Sequence, residues 1–80
     1  MNVISATEAI RQAQQRINDK CREAGIPALS GHDIPVLAAD RIFQKAYAHT
    51  LARLQPGQEE QFNADCVTYA AKLIAQAILS

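Results

Sequence analysis

The chain of 80 residues has only two cysteines, Cys21 and Cys66, too few for a disulfide scaffold. Their spacing fits no zinc motif. Glycine occurs three times and never as a phosphate-cradling loop. There is no nucleophile elbow and no metal-ligand spacing. These absences argue against an enzyme and leave no expected cofactor or metal. Excess charge of either sign is also missing, because eight basic residues balance eight acidic ones. Strong non-specific nucleic-acid binding usually needs a basic surplus, so that class is disfavoured. Residues 1–6 show neither a basic n-region nor an apolar h-region, and Lys72 and Gln76 interrupt the best candidate span. The expected setting is a reducing, cytoplasmic one, without a membrane.

What is present is helical periodicity. Strand-period segments, repeats and low-complexity tracts do not occur. Ser5-Ala6-Thr7-Glu8 is a capping-box pattern that opens a helix. Ala6, Ile10, Ala13, Ile17, Cys21 and Ala24 recur behind it at three- and four-residue steps. Gly25 can take the left-handed position after the helix, and Pro27 cannot continue it. Asp33 and Pro35 suit the start of a second helix, with core face Val36, Ala39, Phe43, Ala46, Tyr47, Thr50 and Leu54. Gln55-Pro56-Gly57 reads as a turn, and Gln58, Glu59 and Glu60 as the start of a third helix. The expectation is a single all-α domain over 1–80, with helices near 6–24, 34–54 and 58–79. Short connections make it an up-down-up three-helix bundle.

Two surfaces stand out. The third helix is apolar over roughly 240° of its circumference, where a stripe of about 100° suffices for a surface helix. Only Asp65, Thr68, Lys72 and Gln76 interrupt it. Either two neighbouring helices cover this arc, or another molecule does. A chain this short gains from oligomerisation, so a homodimer through Val67, Ala71, Ile74 and Ile78 is the favoured expectation. The second surface is the ridge Arg41, Lys45, His49 and Arg53, at successive four-residue steps with only alanines interleaved. It reads as a solvated face or as a docking face for an acidic protein partner. A nucleic-acid backbone is the alternative ligand.

Other candidates are weaker. Asp40 flanks the core stripe and has no foreseeable titrating companion for acid–base work. His32 and His49 fall near opposite ends of the bundle and cannot meet in a metal site. A helix-turn-helix reading fails, because the helix after the one tight turn is acidic at its start and apolar beyond. Cys21 and Cys66 fall about 10 Å apart in height on parallel helices, too far for a bridge. The reading is a small, non-catalytic helical interaction or accessory protein. It binds a macromolecular partner, as a dimer, with nucleic acid as the alternative partner class.

Overall fold

The computed structural model describes the backbone over residues 2–25 and 34–79, with side chains up to residue 77. Three helices make a bundle: α1 (Ala6–Glu23), α2 (Val36–Ala52) and α3 (Phe62–Leu79), the last preceded by a 3-10 turn at Glu59–Gln61. The expected third helix therefore starts four residues late, as a tighter turn that hands over to α3.

Local chemistry explains each end. Ser5 caps α1, and its hydroxyl accepts from the Glu8 N–H at 3.2 Å. The reciprocal half of the capping box does not form. The Glu8 carboxylate turns forward instead, pairing with Arg11 and accepting from Gln12 Nε2 at 3.1 Å. Hydrogen bonds from Arg11 and then Gln12 hold its carboxyl down at about 2. Gly25 ends α1 at φ 72°, the left-handed conformation expected of it. At α2 the expected Asp33 cap lies outside the described residues. Pro35 sits just before the helix rather than inside its first turn, and its carbonyl accepts from Ala39 N–H. In the second connection Gln58 N–H donates to the Gln55 carbonyl, with Pro56 second and Gly57 third at φ 87°. That is the residue pattern of a type II turn.

Polar side chains set the helix register. Asn63, at the start of α3, accepts from Ile4 N–H at 2.9 Å and donates to the Asn2 carbonyl at 2.8 Å. Arg16 Nη1 donates to Thr68 Oγ1 at 2.6 Å. Both ties place like ends of α1 and α3 side by side, so these helices run parallel and α2 returns in the opposite sense.

The core joins Ala9, Ile10 and Ala13 of α1, Ala46 of α2, and Val67, Ala70 and Ile74 of α3. Alanines at these contacts let helix axes approach closely. Tyr47 meets the buried Phe62 edge to face, with ring centroids 5.4 Å apart. Three residue expectations need correction. Val36 is 74% exposed, since the α2 core stripe begins one turn later, at Ala39. Ala9 is fully buried although the stripe omits it, since the buried face of α1 is broad enough to include the residue beside Ile10. Ala24 is exposed where the helix has already ended.

Candidate binding site: the basic ridge of α2 and the cleft at its foot

α3 lies against both α1 and α2, and its wide apolar arc serves two neighbours at once. This decides where the expected association residues go. Val67 and Ile74 are 1% and 3% exposed within the single chain, and Ala71 is half-buried beside them. They belong to the core and are not a free seam, because only opening the bundle would present them to a second copy. The Ile78 side chain lies outside the described residues.

The basic ridge stays on the surface in part. Arg41 and Lys45 are exposed along α2. Further on, the ridge leans toward α3. His49 is half-buried, with its ring stacked on Tyr69 at 3.7 Å between centroids and 9° between planes. Arg53 folds back so that Nη1 donates to the His49 carbonyl at 3.3 Å. From the facing helix comes Lys72, whose Nζ lies 6.0 Å from the Tyr69 ring centroid. The polar wedge of α3 thus meets the C-terminal half of the ridge across a cleft of about 280 Å³. Gln58 and Asp65 complete its polar lining.

The two threonine hydroxyls in this cleft already have partners. Thr50 donates its hydroxyl to the Ala46 carbonyl at 2.7 Å. Thr68 donates to the Ala64 carbonyl at 2.9 Å and accepts from Arg16. The cations are different. Among the described residues both ion pairs, Arg11–Glu8 and Arg22–Asp19, lie within α1. Among the described residues Arg41, Lys45, Arg53 and Lys72 have no carboxylate at ion-pair distance. His49 feels the consequence: burial lowers its pKa first, and the Arg53 and Lys72 charges lower it further.

Sequence reasoning found the ridge but missed Lys72 and Tyr69 as members of the same surface. The available signal was the polar wedge of α3. Its facing partner depended on the rotation of α3 about its axis.

The remaining candidates stay apart. Asp40 is exposed on α2. His32 lies outside the described residues. Cys66 is buried near Thr50, Cys21 is half-buried near the end of α1, and both are free thiols. Among the described residues no three His, Cys, Asp or Glu side chains converge on a metal position. Among them, too, no helix is long and apolar enough to cross a membrane. No known protein family, curated protein or solved structure matches the chain.

Proposed function

We propose that this protein is a small, non-catalytic helical binding protein that docks an acidic protein partner on the ridge of α2. One observation carries the reading: among the described residues the ion pairs are Arg11–Glu8 and Arg22–Asp19 of α1, and none engages Arg41, Lys45, Arg53 or Lys72, whose charges gather on the ridge and its cleft. A rigid helix fixes the spacing of the ridge cations before an acidic surface arrives, leaving only side-chain ordering to be offset. Such a surface contributes most to partner choice and association rate. Self-association remains a separate proposal. With Val67 and Ile74 in the core, a seam would have to use other apolar surface, such as Leu51 of α2, which is 47% exposed.

The test replaces Arg41, Lys45 and Arg53 together by Gln. Exposed charges contribute little to stability, so the melting temperature should stay within about 4 °C. A capped hexaglutamate peptide should bind the wild type at low salt and bind the triple variant at least tenfold more weakly. The difference should shrink as screening rises. Equal binding by the two proteins at low salt would reduce the ridge to a solvated face. Preferential binding of a generic DNA duplex, with a steep salt slope, would favour the nucleic-acid reading instead.

A further inference from the structure

The cleft between α2 and α3 has a shape and charge that the ridge alone does not explain. Resting on the ridge reading above, we propose that this cleft seats one aspartate or glutamate carboxylate of the acidic partner, held by Arg53 and Lys72 beside the His49 ring, and that docking takes up a proton there.

Size supports a side chain rather than a whole small-molecule ligand. The cleft is about 280 Å³, at the small end of the range of roughly 300–1,000 Å³ usual for small-molecule pockets, and ample for one carboxylate side chain. Polarity supports an anion. The hydroxyls of Thr50 and Thr68 are already committed to helix carbonyls, and Arg53 and Lys72 bring two positive charges to the lining against the single carboxylate of Asp65. Arg53 uses one N–H on the His49 carbonyl and retains others for a carboxylate. Asp65 limits occupancy. It precedes Lys72 by seven residues, about 10 Å along the helix axis. An acid seated at the Lys72 end is therefore farther from Asp65 than one at the opposite end, where a second acid would be repelled.

Proton linkage follows from what faces His49. Lys45 and Arg53 lie on its own helix, and Asp65, Tyr69 and Lys72 line the cleft from α3. Arg16 of α1 lies behind Thr68. Burial, Arg53 and Lys72 keep the free imidazole below its ordinary value of 6.5. A carboxylate placed among them offsets the cationic repulsion and favours imidazolium. A group whose pKa rises on binding binds a proton with the ligand. Affinity therefore strengthens as pH falls through the interval between the free and bound values.

The experiment titrates capped hexaglutamate into the full chain at low salt, at about pH 5.5 and about pH 7.5, where glutamate stays ionised. The His49 ring resonance, assigned by its loss in His49→Phe, reports the protonation state. The expected result is a rise in the His49 pKa on binding, and affinity about three- to tenfold tighter at the lower pH. His49→Phe, which can keep the stack on Tyr69, should bind with no pH dependence. Arg41→Gln/Lys45→Gln should weaken binding at both pH values and keep their ratio. A wild-type ratio of one, or a ratio that persists in His49→Phe, overturns the cleft proposal and leaves the ridge reading standing. Absence of peptide binding at either pH overturns both.

Discussion

Cys66 shows how one position can be chemically silent and still informative. Its thiol is fully buried, and burial raises its pKa, opposed in part by the Thr50 hydroxyl. A thiolate is the reactive form, so two effects act in the same direction. Cys21 is only half-buried near the end of α1. The contact between Arg16 and Thr68 places the two thiols about seven residues apart in height, roughly 10 Å, in line with the expectation of two free cysteines. The structure adds that they are unequal. In native buffer a maleimide should label Cys21 and leave Cys66 untouched, and both should react in denaturant. Mass spectrometry reads the count directly. Native labelling of Cys66 at the rate of Cys21 would contradict the packing of α3 against Thr50.

At the scale of elements, helix ends are where sequence and structure agree best. Ser5, Gly25 and Pro56-Gly57 act through their own backbone and nearest neighbours, so their effects need no tertiary information. Gly25 offers a clean test. It sits at φ +72° with open space where a Cβ would go, so Gly25→Ala incurs conformational cost and no clash. About 1 kcal/mol of stability should be lost. A urea melt should show a lower midpoint with an unchanged slope. An unchanged midpoint would mean that the left-handed turn is not what ends α1. Glu8 shows the reverse case. Its sequence position promised a capping box, but Arg11 one turn ahead offered the carboxylate a charged donor, and the charge-assisted bond prevailed.

At the scale of the whole molecule, the part of the α3 apolar arc formed by Phe62, Cys66, Val67, Ala70 and Ile74 is met inside the chain, while Ala64 and Ala77 stay exposed. α1 and α2 flank α3, whose buried residues between Phe62 and Ile74 pack against them. Ile74→Glu would put an unpaired charge into the core, at a cost of several kcal/mol. Domains of this size have only about 5–15 kcal/mol in total. The expected outcome is loss of the cooperative thermal transition, together with loss of the helical circular-dichroism signal. A folded, monomeric Ile74→Glu chain would instead show that this residue faced a second copy.

Length, periodicity and turn chemistry in the sequence determined three helices, their order, and most of their boundaries. They also determined the four-residue spacing of Arg41, Lys45, His49 and Arg53, because one helix sets those positions. Packing alone decided the rest. An apolar arc records how much surface must be covered and not what covers it, so the sequence could not separate a central helix from a dimer seam. The rotation of α3 is set by Asn63 and Thr68, through contacts more than fifty residues apart in the chain, and by the interlocking alanines of all three helices. That rotation turns Tyr69 onto His49 and brings Lys72 to the cleft. A row of charges legible along one helix thereby became a two-helix site that only tertiary structure could assemble.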